Sequence, residues 1–192
     1  MKQDEIRRRL IGGAIRVIAR DGLDKATTKS ISAEAPASEV YIYRYFSDKD
    51  DLLAKAFESI DTELAKVCMQ HVGIIYSADA SFEICCRAYY SLIWRHVIEN
   101  RDKFTAYIRY YYSPYFMRYS ASSQNEIYAP LVSKFSQIFE DDTNVWIILG
   151  HIMNTVLDFA VKVYNGEVPD DEETKELVFR LIYCSVRQYF KK

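Results

Sequence analysis

The 192-residue sequence has few of the residues that interrupt helices. It contains only six glycines and four prolines, so long helices are expected. Apolar residues make up 49% of the chain, which is enough for a core and too much for a disordered chain. The length fits one compact domain, or a small domain joined to a larger one.

Motifs of catalytic, metal-binding and phosphate-binding sites are also lacking. The four cysteines form no Cys-x-x-Cys, the three histidines have no companion at metal or catalytic spacing, and no glycine-rich phosphate loop precedes a lysine. These residues are Cys68, Cys85, Cys86, Cys184, His71, His96 and His151. We therefore expect no metal and no cofactor, and an enzyme is the least favoured class of function.

Signals for export and for nucleic-acid binding are weak. Residues Met1–Leu10 are charged rather than apolar, and no uninterrupted apolar run has membrane-spanning length. We expect a soluble cytoplasmic protein with no membrane partner. The net charge is −2, but residues 1–50 carry ten basic and eight acidic side chains, which is a small excess of the sign that DNA requires.

The most informative stretch begins at residue 27. Thr28 is expected to be an N-cap, and a short helix is expected to follow it to about Ala35. Pro36 interrupts this helix. Ser38 is then expected to be the next N-cap, and a second short helix is expected over Glu39–Tyr45. Two short helices joined by a tight turn form a helix-turn-helix, whose second helix suits the DNA major groove.

This stretch resembles the DNA-binding signature of the TetR family of bacterial transcriptional regulators. The resemblance spans roughly residues 6–53, and the run of Tyr43, Phe46 and Lys49 is its most specific part. Two positions differ, because Pro36 stands where glycine is usual and Val40 stands where a small residue is usual. Since proline disfavours the left-handed conformation that glycine allows, we expect a different turn here.

The resemblance implies a homodimeric repressor that a small-molecule effector releases from a palindromic operator in double-stranded DNA. Tyr43, Tyr45 and Lys49 are expected at phosphates, with help from the helix that precedes them. The residues expected nearest the base edges lie at the front of the second helix. The full predicted DNA-binding set is Thr28, Lys29, Ser38, Glu39, Val40, Tyr41, Tyr43, Arg44, Tyr45 and Lys49.

The sequence as a whole predicts an all-α fold of about nine helices. The predicted bounds are 3–20, 28–35, 39–45, 49–70, 81–99, 103–113, 124–139 and 144–164, with a last helix after Asp171 that reaches Phe190. By function we divide the chain into a helix-turn-helix domain, residues 1–48, and a helical effector-binding and dimerisation domain, residues 49–192.

Tyrosine is concentrated in the middle of the chain, where eight of the sixteen lie between Tyr89 and Tyr119. They predict either aromatic core packing or the wall of a ligand pocket. Likewise, Asp158 either pairs with Lys162 on the surface or faces a cavity, where it would favour a cationic ligand. The candidate lining residues are Phe57, Tyr89, Trp94, Tyr107, Tyr110, Tyr111, Met153, Asn154 and Asp158.

The last helix carries two adjoining apolar stripes, whereas a terminal helix of a monomer buries only one. The second stripe predicts contact with another subunit, and the resemblance implies the same, since the last two helices form the dimer interface in that family. The predicted interface residues are Phe179, Ile182, Tyr183, Val186 and Phe190.

A rival function belongs to another class. Pro36 and Val40 differ from the usual motif, and the carboxylate of Glu39 repels phosphate. They leave open a helical ligand-binding or adaptor protein that keeps the fold and no longer binds DNA specifically.

Overall fold

The computed structural model describes residues 2–191, and the described chain is all-α. It contains two short 3₁₀ segments, Val72–Tyr76 and Arg187–Tyr189, and a single isolated β-bridge joins Phe139 to Phe190. The ten α-helices are α1 Lys2–Asp21, α2 Thr28–Glu34, α3 Val40–Tyr45, α4 Lys49–His71, α5 Phe82–Glu99, α6 Arg101–Tyr111, α7 Pro114–Tyr119, α8 Ala121–Phe135, α9 Val145–Tyr164 and α10 Glu172–Val186.

Two predicted helix starts need correction. The N-cap of α2 is Thr27 rather than Thr28, because Thr27 Oγ1 accepts a hydrogen bond from the Ser30 amide and Ser30 Oγ accepts one from the Thr27 amide. This reciprocal pair is a capping box. The third helix begins at Val40, its N-cap is Glu39, and no side chain caps it.

One helix was missing from the prediction. Pro114, which follows the predicted helix 103–113, begins α7 at position N1. Proline suits that position because its absent N–H would have no partner inside the helix. The following helix also starts earlier than expected, at Ala121 instead of Gln124.

The chain forms two compact units, and the boundary between them falls within α4. Unit 1 contains the chain up to Glu63 together with Arg101–Ile127, and unit 2 contains Leu64–Asn100 together with the chain from Tyr128. This division differs from the functional division at residue 48, since residues 49–63 of α4 and all of α6 and α7 belong to the unit that holds the helix-turn-helix.

Unit 1 is built on α1. Leu10, Val17, Ile31 and Ile42 are fully buried, and they come from α1, α2 and α3. Helix α6 is joined to α1 by Arg109, whose Nη1 donates to the carbonyl of Ile18 at 2.7 Å. The same carbonyl accepts from the Gly22 amide at 3.0 Å, so the guanidinium adds a second hydrogen bond at the end of α1.

Unit 2 buries Val97, Ala160 and Val178 completely, which come from α5, α9 and α10. Helix α9 is long and apolar enough to cross a membrane by length and composition alone, a test that core helices of soluble proteins also pass. Only 28% of its apolar window is buried within the described chain. Much of α9 therefore presents apolar surface outside its own unit's core.

Candidate nucleic-acid and ligand sites

The turn between α2 and α3 keeps a backbone conformation that glycine usually adopts. Pro36 has φ +27°, so our expectation that proline would avoid the left-handed region is not met. The Ala37 amide donates to the carbonyl of Ser32 at 3.1 Å across this turn. Because the proline ring prefers φ near about −65°, the turn is strained at this residue.

The third helix has one buried anchor and an exposed face. Ile42 is fully buried, whereas Val40 exposes 72% and Tyr43 exposes 64% of its surface. Arg44 is also exposed. Side chains of this size and chemistry at the surface of a short helix can contact phosphates and base edges, and we call α3 the recognition helix.

A hydrogen bond joins the two helices of the motif at their starts. Thr28 Oγ1 donates to Glu39 Oε2 at 2.8 Å. Thr28 is therefore a positioning residue for Glu39 in the free protein instead of an N-cap.

Lys49 is the first residue of α4, and Asp48 caps this helix by accepting from the Asp51 amide at 2.8 Å. The Lys49 ammonium lies 5.7 Å from the centre of the Tyr115 ring and 3.7 Å from Asp50 Oδ1. Tyr119 of the same short helix, α7, donates its hydroxyl to Asp50 Oδ2 at 3.2 Å. Helix α7 therefore contacts the start of α4 at a residue expected to bind phosphate.

Helix α1 holds α2 through charge. Arg16 Nε lies 2.7 Å from Glu34 Oε1, and Arg20 Nη1 lies 2.8 Å from Glu34 Oε2. The hydrogen bonds from Arg20 and Arg16 lower the pKa of the Glu34 carboxyl below its ordinary value.

The same two helices approach closely at Gly13. A Cβ at this position would lie 2.9 Å from Ala35 Cβ and 3.0 Å from the Ile31 carbonyl oxygen. The α1–α2 contact therefore requires glycine here.

All ten predicted DNA-binding residues are exposed or half-buried, and none lies in the core. Two aromatic contacts lie within α3 itself. The rings of Tyr41 and Tyr45 stack with their centres 6.1 Å apart, and the Arg44 guanidinium lies 6.0 Å from the centre of the Tyr45 ring. The predicted set is thus placed where a duplex could reach it.

Four of the nine predicted ligand residues come together in unit 1. Phe57 stacks on Tyr107 at 4.7 Å and on Tyr110 at 4.8 Å, and Tyr111 stacks on Tyr107 at 6.0 Å. Phe116 of α7 joins them, 5.5 Å from Phe57 and 4.5 Å from Tyr111. We call these five residues the aromatic cluster.

Polar side chains lie against the aromatic cluster. Gln124 Nε2 donates to the Tyr107 hydroxyl at 2.9 Å and to Asp61 Oδ1 at 3.4 Å. Tyr110 shares a buried hydrogen bond of 3.0 Å with Ser120 Oγ. Asp61 is fully buried and Gln124 is 7% exposed, and sequence analysis missed both residues.

The sequence did contain a signal for Asp61. It lies on α4 one turn after Phe57 and one turn before Leu64, which are both buried. A carboxylate in line with an apolar stripe is unusual, because burying it costs free energy.

The other five predicted ligand residues lie in unit 2. Tyr89 donates to the carbonyl of Cys68 at 3.3 Å, and Trp94 packs 5.9 Å from Tyr90 as part of the core. On α9, Met153 is half-buried, while Asn154 and Asp158 are exposed. Asp158 pairs with Lys162, so the surface alternative for Asp158 is the one observed.

The predicted interface residues of α10 lie mostly inside their own unit. Phe179, Ile182 and Val186 are 3–5% exposed, and only Tyr183 and Phe190 are half-buried. The exposed apolar side chains of α10 are Leu177 at 49% and Leu181 at 48%. Leu177 and Leu181 thus form a neighbouring apolar stripe that the chain's own unit leaves exposed.

No group of three or more histidine, cysteine, aspartate or glutamate side chains is arranged to hold a metal ion among the residues that the structure describes. Cys68 is buried, and its burial raises the pKa of the thiol to about 11. Burial also raises the pKa of the Cys86 thiol, to about 12. Both thiols are therefore poorly reactive at neutral pH, Cys68 in the core and Cys86 at a half-buried position.

Helices α1, α2 and α3 form a short three-helix unit, which we call the head, and its last helix exposes its polar face. This arrangement defines a helix-turn-helix protein. Residues 10–56 match the model of the family described as bacterial regulatory proteins, tetR family. This match covers the helix-turn-helix, so the likeness to the TetR family holds for residues 10–56.

Solved structures resemble this chain over its whole length in fold. A TetR family transcription regulator from Marinobacter aquaeolei has a TM-score of 0.80 at 16% identity, with 100% of both chains covered. One from Haemophilus influenzae has a TM-score of 0.71 at 17% identity, again with 100% of both chains covered. At these identities the likeness concerns the fold.

A curated relative adds a short stretch of closer similarity. The HTH-type nicotine-responsive transcriptional repressor HdnoR of Paenarthrobacter nicotinovorans is 38% identical over 60 residues. The match spans 31% of this chain and 31% of that protein.

Proposed function

We propose that this protein is a homodimeric transcriptional repressor that binds a palindromic operator in double-stranded DNA and is released by a small-molecule effector. The observation that carries the proposal is the recognition helix, which is anchored by the buried Ile42 and exposes Val40 and Tyr43. A helix with this asymmetry has little reason to expose large side chains unless it binds something.

The first test is DNA binding. Selection of genomic fragments by the purified protein should yield a two-fold symmetric site, and Tyr43→Ala should weaken binding to it. Lys49→Ala should weaken binding about equally on all sequences and reduce the salt slope by roughly 1, because it removes one phosphate contact.

The rival adaptor function makes the opposite forecast. It requires that no fragment be enriched and that Tyr43→Ala leave the weak residual binding unchanged. If Lys49→Ala changed which sequence is preferred, the assignment of Lys49 to phosphate would be wrong.

Dimerisation is supported by the exposed faces of α9 and α10. His151 Nε2 and Ser185 Oγ lie 2.9 Å apart and hold the two helices together. Ile147 on α9 is 64% exposed, and Leu177 and Leu181 on α10 are nearly half exposed. An apolar surface shared by two neighbouring helices suits an isologous contact with a second copy.

The test replaces one side chain of this surface by a charge. Leu181→Asp should raise the dimer dissociation constant by more than about 100-fold, because an unpaired buried charge costs about 3–5 kcal/mol. Sedimentation measures this, with Met117→Asp, at a 75% exposed position of α7, as the control that stays dimeric. A Leu181→Asp dimer with normal stability would remove this face from the interface.

The response to an effector is supported by a curated relative that is itself described as nicotine-responsive and by the aromatic cluster. The cluster combines ring faces with hydrogen-bonding groups, which is the composition of a small-molecule site.

A further inference from the structure

The exposed large apolar side chains of unit 1 are confined to two short stretches of the described chain. They are Val40 and Tyr43 on the recognition helix, and Tyr112, Met117 and Tyr119 within residues 112–119, which we call the α7 segment. Tyr112 exposes 72% and Met117 75% of its surface, as much as Val40 does. Because grouped exposed side chains of this size mark interaction sites, the α7 segment is a second candidate surface of unit 1.

The α7 segment lies against the start of α4. Tyr119 donates its hydroxyl to Asp50 Oδ2 at 3.2 Å, and the Lys49 ammonium lies 5.7 Å from the centre of the Tyr115 ring. Tyr115 and Tyr119 are one helical turn apart, and their rings stack with centres 6.3 Å apart. One face of α7 is therefore fixed beside Lys49, and the surface of the predicted DNA-binding set continues onto this helix.

Arg118 is the charged residue of the α7 segment, and it is exposed. Its guanidinium lies 5.1 Å from the centre of the Tyr119 ring. Among the residues that the structure describes, Arg118 forms no ion pair, so its donors remain available to an anion from outside. Arginine suits phosphate in such a place because it can stack on a ring and still donate two parallel hydrogen bonds.

Tyr119 connects this arginine to the lysine at the start of α4. Its ring contacts Arg118, and its hydroxyl binds one oxygen of Asp50, whose other oxygen lies 3.7 Å from Lys49 Nζ. That distance exceeds the roughly 2.7–2.9 Å of a charge-assisted hydrogen bond, so Asp50 leaves the ammonium available to phosphate. The hydroxyl of Tyr119 holds the carboxylate in this orientation.

We propose that α7 is a second DNA-contacting element, in which Arg118 binds a backbone phosphate close to the one bound by Lys49 and Tyr119 positions both cations. The partner is the DNA backbone because the α7 segment adjoins the predicted DNA-binding set and carries an unpaired positive charge. Contacts to phosphate add affinity and fix the register of a protein on the duplex, while the bases are read elsewhere. This inference rests on the proposed binding of double-stranded DNA.

The first experiment measures the salt dependence of binding to the selected operator and to a random duplex. Arg118→Ala should weaken both by roughly 10-fold or more and reduce the salt slope by roughly 1 for each subunit, because one phosphate contact is lost. Arg118→Lys keeps the charge and should retain the slope. Arg95→Ala removes an exposed arginine of α5 in unit 2 and should leave affinity and slope unchanged.

The second experiment locates the phosphate. In a scan of the operator, each methylphosphonate replaces one charged linkage by a neutral one. The linkage bound by Arg118 is the one whose replacement weakens the wild type and leaves Arg118→Ala unaffected, and it should lie within about two linkages of the one that Lys49→Ala identifies. Tyr119→Phe keeps the ring beside Arg118 and removes the hydroxyl from Asp50, so it should reduce the effect of neutralising the Lys49 linkage.

The outcomes separate this inference from the proposed function. If the wild type selects an operator and Arg118→Ala binds it with equal affinity and slope, the α7 contact is overturned and the repressor stands. A change of sequence preference in Arg118→Ala, or an equal loss in Arg95→Ala, would also overturn the contact. A protein that binds random duplex through Arg118 and selects no operator would overturn the repressor and keep the contact. Failure to bind any duplex would overturn both.

Discussion

Tyr43 and Tyr110 belong to the same unit and have opposite environments. Tyr43 exposes 64% of its surface on the recognition helix, whereas Tyr110 exposes 1% within the aromatic cluster, where Ser120 satisfies its hydroxyl. A buried phenol requires a specified partner, while an exposed one can bind a group that arrives from outside. The two regions therefore use one residue type in two ways, buried for packing in the aromatic cluster and exposed on α3, where we propose that it contacts DNA.

The two regions are also held together differently. The aromatic cluster is stabilised by ring contacts distributed over α4, α6 and α7. Helices α1 and α2 share an apolar core and, in addition, two close contacts at Gly13 and Glu34. Substitutions at these positions test the comparison.

The largest effect is expected from emptying the cluster. Tyr110→Ala should lower the free energy of unfolding by about 3–5 kcal/mol, because it leaves a cavity and an unpaired Ser120 hydroxyl. Tyr43→Ala should change the free energy of unfolding by no more than about 0.5 kcal/mol and should instead weaken DNA binding. Urea unfolding of both variants measures the difference, and equal losses of stability would abolish the distinction.

The next effect concerns the close approach of α1 and α2. Gly13→Ala should destabilise the protein by about 1–3 kcal/mol, since the added methyl group collides with Ala35 and the Ile31 carbonyl. Gly12→Ala is the matched control on the same helix, where a Cβ meets only the flexible end of Arg16 at 3.3 Å. Helix propensity predicts a gain of up to about 1 kcal/mol for Gly12→Ala. Thermal unfolding that showed the same sign for both would contradict the packing argument.

The smallest effect depends on pH. Glu34→Gln should cost less than about 1 kcal/mol at pH 7, because the ion pairs with Arg16 and Arg20 are solvent-exposed. The folded-state pKa of Glu34 lies below its ordinary value of 4.5, so the contribution is present above that pH and is lost as pH falls through the folded pKa. Unfolding between pH 3 and 7 measures this.

The control for this prediction is Glu5→Gln, since Glu5 pairs with Arg9 inside α1 and joins no second helix. A Glu34→Gln protein whose deficit grew toward low pH would reverse the sign and refute the assignment.

Much of the helical layout could be predicted because the residues that begin and end a helix lie at its own termini. Asp48 caps α4 directly before its predicted start at residue 49, and Gly22 and Gly166 follow the ends of their helices with positive φ. The errors in the predicted helix bounds arose where one local sequence pattern is compatible with two structures. Thr27 and Thr28 are both good N-caps, and only the geometry selects Thr27. Pro114 can end one helix or begin the next, and it does the second.

The site was harder to predict than the fold. The tyrosine enrichment pointed to α6, but periodicity could not say which rings would meet Phe57. A lone aspartate in a long helix usually faces solvent, so Asp61 passed unnoticed although its neighbours at helical spacing are apolar. On α10 the pattern revealed two apolar stripes without deciding which one its own unit covers, and Val186 proved to be buried there.

The hydrogen bond between Thr28 and Glu39 has a consequence for the search of the genome. A carboxylate fixed at the front of the recognition helix repels the phosphates of every sequence, whereas only a site that presents a donor such as cytosine N4 can compensate for it. If the protein binds an operator as proposed, random DNA should therefore hold it weakly and for a short time. Because a genome offers at least about 10⁶ competing positions, this loss of indiscriminate attraction would then raise the fraction of molecules that reach the proposed operator.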